Sequence, residues 1–339
     1  MKEIDQKSII FFTLVFFGLA YYCTNPYIID DSYITLRCTQ HWIEGKGLYF
    51  NTGQNVYTIT NPLWAYLIGW VAKTGVSLKV AMLGTAAVTM YFFYVSLIVW
   101  LGSYFKPLVA TIAASILLSN TLILGIGMSG METPLYILLI MWAIIFAEQK
   151  KYALSWVIAG IALFVRTDAF LLAVVLGMFQ LFEKGWQKTF KSTLIYITFI
   201  AAYLLFGYLN YDTVIPNSVI RKTGLGNILS VDHITSMLST LYSLIMATTG
   251  HISHYSILNP QWIILPLITV VFISKTFKIN RVLVFSFLVS MAMVFMSFKK
   301  VKHGWYFIPP LLGIAYPIAT FLKPHIYKTK KIIGYAYLL

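Results

Sequence analysis

Apolar runs separated by short polar clusters dominate the 339-residue chain, and three of them, over residues 9–23, 80–100 and 193–209, set its scale. Each approaches the ~20 residues needed to cross ~30 Å of hydrocarbon. Further runs predict helices over about 78–103, 107–127, 133–147, 153–182, 192–209, 260–274, 282–298 and 305–322. Residues 61–72 are apolar but would span only ~18 Å as a helix, so they are expected to lie along an interface. The polar, aromatic-rich stretch between the first run and residue 78 is an external loop, 24–77. Its segment 34–44 alternates with the period of an amphipathic helix. The 210–259 stretch is a second external loop, with a semi-apolar segment at 237–248 predicted to be an interfacial helix.

The 153–182 run needs a decision. One helix of that length would measure ~45 Å, too long for a straight crossing, and it carries Arg166 and Asp168 at its middle. Lys150 and Lys151 flank one end, and Lys184, Lys188 and Lys191 the other. Basic flanks belong on the cytoplasmic side, so both ends lie there, and the run is a hairpin of two short helices with Arg166-Thr167-Asp168 at its tip. The total becomes ten transmembrane helices with both termini cytoplasmic. The expected organisation is one all-α integral-membrane domain without a separate soluble domain. Residues 1–210 form an N-terminal module, 211–259 the second loop, and 260–339 the C-terminal helices.

Composition agrees. The chain is 59% apolar and 11% charged, with a mean hydropathy of +0.78, far from the roughly 25% charged residues of soluble domains. Soluble enzymes, disordered tails and disulfide-stapled secreted domains are excluded. The net charge of +14 therefore reports on sidedness, not on nucleic-acid binding. Cytoplasmic loops hold fifteen of the 25 Lys and Arg residues but only Glu3, Asp5, Glu148 and Glu183 among the 11 acids. The external side holds Asp30, Asp31, Glu44, Glu132, Asp168, Asp212 and Asp232. A basic cluster at Lys299, Lys300, Lys302 and His303 breaks the positive-inside rule. Cys23 and Cys38 fall near the external face, where they either pair in an oxidising compartment or remain small apolar residues.

The external acids are the first candidates for chemistry. Adjacent carboxylates such as Asp30 and Asp31 raise one pKa and supply a base or a cation ligand; alternatively one of them caps the helix that follows. Glu132 precedes Thr133-Pro134, where it either caps a helix or lines a site. Arg166 and Asp168 sit on a short hairpin below the surface, where ionised groups are costly and default to function, unless they merely pair with each other. Arg221, Lys222, Lys302 and His303 are external bases, suited to a lipid phosphate. Aromatics such as Trp64 and Tyr306 fit interfacial belts or sugar stacking. His251 and His254, three apart in a loop, are weak metal candidates.

These residues resemble a known family. Asp30-Asp31-Ser32-Tyr33-Ile34-Thr35-Leu36-Arg37, continuing through Gly45-Lys46-Gly47-Leu48 and Asn51-Thr52-Gly53 to Thr60-Asn61-Pro62-Leu63-Trp64, is similar to the amino-terminal module of GT-C glycosyltransferases. The likeness is to the arabinofuranosyltransferase branch, related to protein mannosyltransferases and lipid A aminoarabinose transferases. Gly130-Met131-Glu132-Thr133-Pro134-Leu135, Arg166-Thr167-Asp168, Pro216-Asn217-Ser218 and the segment 302–310 follow in the family's order, although Thr167 stands where proline is common. The resemblance implies a bacterial cytoplasmic-membrane enzyme with an external active site, a polyprenyl-phosphate-linked sugar donor, and a glycan, lipid or protein acceptor. It implies Asp30 as the general base, with Asp31 supporting it or binding a divalent cation. Glu132, Arg166, Asp168, Asn217, Arg221, Lys222, Lys302, His303, Tyr306 and Trp64 become candidates for donor or acceptor binding, and no other cofactor is implied. A flippase of lipid-linked sugars would instead have related halves meeting at mid-membrane, and none is found. A non-catalytic relative would not need the aspartate pair. Cysteine accessibility tests the topology: an Asp31→Cys substitution is expected to label from the external side and Lys150→Cys only from the cytoplasmic side.

Overall fold

The computed structural model describes residues 27–217 except 55, 119 and 120, together with parts of 13–22. Among the described residues there are helices and no strands. Asp30–Ile43 (α1) and Pro62–Ala72 (α2) precede a long helix, Leu78–Gly102 (α3). Pro107–Leu118 (α4), Thr121–Gly127 (α5) and Thr133–Glu148 (α6) follow, then Tyr152–Leu163 (α7), a 3-10 turn at Thr167–Ala169, Phe170–Lys184 (α8) and Trp186–Tyr211 (α9). The described positions among 13–19 are helical, as expected of a first span. The predicted spans 260–274, 282–298 and 305–322, and the 237–248 segment, lie outside the described residues.

Two helices, α3 with 25 residues and α9 with 26, are long and apolar enough to cross a membrane, at roughly 38 Å each. Both present large apolar side chains outward, among them Val80, Val88, Phe92 and Val99 on α3 and Leu194, Leu204, Leu205 and Leu209 on α9. An apolar exterior of this extent on spanning-length helices is what lipid contact requires. The 11-residue α2 is apolar but short, in keeping with an interfacial position, and exposes Trp70 and Val71.

Sequence explains most boundaries. Ser77 caps α3, its Oγ accepting from the Val80 N–H at 3.4 Å. Pro62 and Pro134 occupy first-turn positions of α2 and α6, where their missing N–H is no loss. The expected break in the 153–182 run is present: α7 and α8 are separate, and the Tyr152 hydroxyl at the start of α7 donates to Glu183 at the end of α8. The two arms are therefore antiparallel, with Lys150, Lys151 and Lys184 at the same end. The helix expected from 192 begins at Trp186, so its basic first turns extend beyond its apolar part.

α3 packs on α2, α4 and α6; α6 packs on α7, and α7 on α8 and α9. Small residues let the backbones approach, as membrane helices require in the absence of a hydrophobic drive. Gly160 of α7 lies directly beneath the Phe199 ring of α9, with no room for a Cβ. Polar side chains add links: Ser155 Oγ donates to the Ala143 carbonyl at 2.7 Å, and Trp156 Nε1 to Gln180 Oε1 at 2.7 Å. The main core runs through Phe93, Leu97, Leu101, Ile144, Trp156 and Ala159.

A second core holds the loop between α1 and α2. Cys38, Tyr57, Ile59, Ala65, Tyr203 and Tyr211 are buried together, with Tyr57 stacked on Tyr211 at 4.3 Å. Tyr49 donates to the Asn210 carbonyl and Tyr211 to the Leu48 carbonyl, each at 2.7 Å. Cys38 is free, and burial pushes its thiol up to about 11 despite the neighbouring Thr58 hydroxyl at 3.9 Å; Cys23 lies outside the described residues. Because the thiolate is the reactive species, Cys38 in a Cys23→Ser background is expected to resist maleimide at pH 7.5 and to label only after denaturation. Rapid native labelling would contradict this packing.

Candidate functional site

Four stretches distant in sequence meet at one end of the described bundle: the start of α1, the Asn61-Pro62 entry to α2, the 129–132 turn before α6, and the tip between α7 and α8. The start of α1 is set by tertiary bonding. Ile29, extended at φ −69° and ψ 152°, donates its N–H to the Ser129 carbonyl at 3.2 Å, and its own carbonyl accepts from the Ser32 N–H. Ser32 Oγ donates to the same Ser129 carbonyl at 3.1 Å. Ile29 is therefore the cap residue, and neither aspartate caps with its side chain. Asp30 and Asp31 occupy the first turn, where the positive end of the helix dipole faces them. Asp30 is exposed and Asp31 half-buried, and neither forms an ion pair among the described residues.

Gly130 makes the close approach possible. Its φ is +80°, and a Cβ there would lie 2.6 Å from the Met82 sulfur of α3. Its carbonyl accepts from Trp64 Nε1 at 3.0 Å, which locks the fully buried Trp64 of α2 against the turn. The backbone of α2 is joined to the hairpin as well, through the Leu63 N–H and the Phe164 carbonyl at 3.0 Å.

The side chains complete the junction. Thr35 of α1 and Asn61 are bonded at 3.2 Å, and Asn61 Nδ2 donates to Glu132 Oε2 at 2.9 Å. Glu132 Oε1 accepts from Arg166 Nη1 at 3.1 Å. Arg166 also grips Asp168 with a fork, Nε to Oδ1 and Nη2 to Oδ2, both at 2.9 Å. Its guanidinium lies 5.3 Å from the centre of the Tyr136 ring. The Arg166 and Glu132 side chains are 8% and 9% exposed, whereas Asp168 is 27% exposed. The hairpin tip thus holds the mutual pair considered from the sequence, extended inward to Glu132. Glu132 stands at the cap position of α6 without capping it; its carboxylate points to Asn61 and Arg166 instead.

With Asp30 and Asp31, four carboxylates and the Arg166 guanidinium lie at this end among the described residues. Among the described residues no group of three or more His, Cys, Asp or Glu side chains could hold a metal ion. Asn217 is exposed, and its N–H donates to the Tyr57 carbonyl at 3.0 Å, which fastens the 216–217 segment to the first loop. Arg221, Lys222, Lys302, His303 and Tyr306 lie outside the described residues. Asn61 and Thr35 did not stand out in the sequence as site residues; the signal was that Thr35 shares a motif with the aspartate pair and Asn61 one with Trp64.

An alignment 225 positions long, which covers 59% of the chain, is 25% identical to a terminal β-(1→2)-arabinofuranosyltransferase of Mycobacterium tuberculosis. The chain spans only 36% of that relative's length. No protein-family model matches the chain, and no solved structure does.

The network yields a stability prediction. Removing one partner of a buried ion pair leaves a charge uncompensated, at a cost of about 3–5 kcal/mol, whereas replacing both is far less damaging. Glu132→Ala and Arg166→Ala are each expected to lower the thermal midpoint of the purified protein sharply, and the double substitution to lose much less than their sum. Additive losses would mean that the two groups do not interact.

Proposed function

We propose that the chain is a membrane glycosyltransferase that moves a sugar from a polyprenyl-phosphate-linked donor to a hydroxyl of a glycan, lipid or protein acceptor on the external face. The observation that supports this reading is the convergence of the separated motifs on one bonded junction, with an aspartate pair at its edge that forms no ion pair among the described residues. The likeness to an arabinofuranosyltransferase supports the same class of reaction. The apolar exteriors of α3 and α9 suit a membrane-borne donor.

In this mechanism Asp30, the more exposed of the pair, takes the proton of the acceptor hydroxyl. The resulting oxygen attacks the anomeric carbon, a new C–O bond forms, and the bond from that carbon to the phosphate oxygen breaks. Polyprenyl phosphate leaves with the electron pair. Asp31 keeps the local field negative and orients the acceptor, or holds a divalent cation. Glu132, Arg166, Asp168 and Trp64 hold the base in register from behind, with Asp168, the most open of the acids at the tip, as the member closest to substrate. Asn217, Arg221, Lys222, Lys302, His303 and Tyr306 are assigned to donor or acceptor binding, the cations facing the phosphate where charge develops.

General bases contribute roughly 10²–10⁴-fold, so Asp30→Asn is expected to reduce transfer of radiolabelled sugar in membranes by about that factor. Asp31→Asn should reduce it less. Full transfer by both variants would overturn the assignment, whereas donor binding without transfer in wild type would favour a non-catalytic subunit.

A further inference from the structure

The outward face of α1 carries a second feature that the junction does not use. Asp30, Tyr33, Ile34 and Arg37 recur at the spacing of a single helical stripe, and all four are exposed, Tyr33 by 54% and Ile34 by 40%. Asp30 and Arg37 are two turns apart, roughly 10 Å along the axis. An aromatic ring lies between a carboxylate and a guanidinium.

Arg37 is held without being neutralised. Its Nε donates to the Phe50 carbonyl at 2.8 Å, and its guanidinium carbon sits 5.3 Å from the centre of the Phe50 ring. These contacts fix the plane of the group and leave the two terminal amino groups as its remaining donors. The nearby acid Glu44 is occupied elsewhere: it pairs with Lys46 at 2.6 Å and accepts from Gln40 at 2.9 Å. Among the described residues Arg37 forms no ion pair. A planar guanidinium oriented in advance, with its rotamer entropy already spent, suits bidentate capture of a phosphate or carboxylate.

We propose that this stripe is an anion-anchored sugar subsite in which Arg37 grips an oxyanion of the substrate and Tyr33 supports the sugar ring between Arg37 and Asp30. The proposal rests on the glycosyltransferase reading for its orientation toward Asp30, but not for its binding chemistry. The oxyanion belongs either to the lipid phosphate of the donor or to an acidic acceptor.

Titration calorimetry on the full chain in detergent separates these sources, with farnesyl phosphate and a galacturonic acid trisaccharide as probes and farnesol and a neutral trisaccharide as controls. One acidic probe is expected to bind wild type, and Arg37→Gln to weaken it at least tenfold while leaving the melting temperature within a few degrees. Arg37→Lys, which keeps the charge but not the fork, should fall between the two. Loss confined to farnesyl phosphate assigns the subsite to the donor, and loss confined to the trisaccharide assigns it to an acidic acceptor. Should Arg37→Gln fail to fold, Arg37→Lys serves instead, and it is expected to weaken whichever acidic probe binds wild type. Binding of neither acidic probe by wild type, or equal binding by wild type and variants, would overturn the proposal. These ratios are read without turnover, so the subsite and the transfer reaction can each fail alone.

Discussion

The buried guanidinium of Arg166 is the fixed point of the end of the described bundle where α1, α2, α6 and the hairpin tip meet. A charge that is 8% exposed survives only when carboxylates and hydrogen bonds replace its water. Asp168 from its own turn and Glu132 from the start of α6 meet that demand. Glu132 then has a second oxygen to satisfy, and Asn61 satisfies it while reaching Thr35 on α1. Each link is required by the one before it, and the series ends one turn beyond the aspartate pair.

Ion pairs of this kind add little net stability, because desolvation consumes most of the Coulombic gain. Their use here is specification. An apolar replacement would tolerate a rotation or slide of α1 against α2 and the hairpin; a chain of directional bonds does not. The bonds of Ile29 and Ser32 to one carbonyl, that of Ser129, narrow the choice further. The first turn of α1 is thereby held in one register while its outer face stays open.

What the residues disclosed in advance follows from the range of the forces involved. The hairpin break at Arg166 was legible because length, flanking lysines and two charges in the middle of an apolar run are all local properties. The interfacial length of α2 was legible for the same reason. The start of α1 was not: it depends on a carbonyl 97 residues away from Ser32, and local capping rules pointed to an aspartate. Asn61 was equally opaque, since Asn-Pro at a helix entrance reads as turn punctuation and its partner Glu132 lies 71 positions on. A mutual pair of Arg166 and Asp168 was one of two readings open from the sequence, but its extension to Glu132 could only come from the packing of α6 on α7. The aspartate pair stood out through its resemblance to a family and through arithmetic: one cap cannot occupy two carboxylates. In the structure it occupies neither.

The clamp between the first loop and the end of α9 also sets a timetable. Tyr49 bonds to a carbonyl 161 residues later, and Tyr211 to one 163 residues earlier. The Tyr57–Tyr211 stack closes the same gap. A ribosome adding about 5–20 residues per second needs on the order of ten seconds to bridge that interval. Throughout it the loop lacks the aromatic floor on which it will rest. The nascent chain therefore carries a tyrosine-rich segment without its packing partners until α9 arrives, and the loop's final shape waits on a helix made long after it.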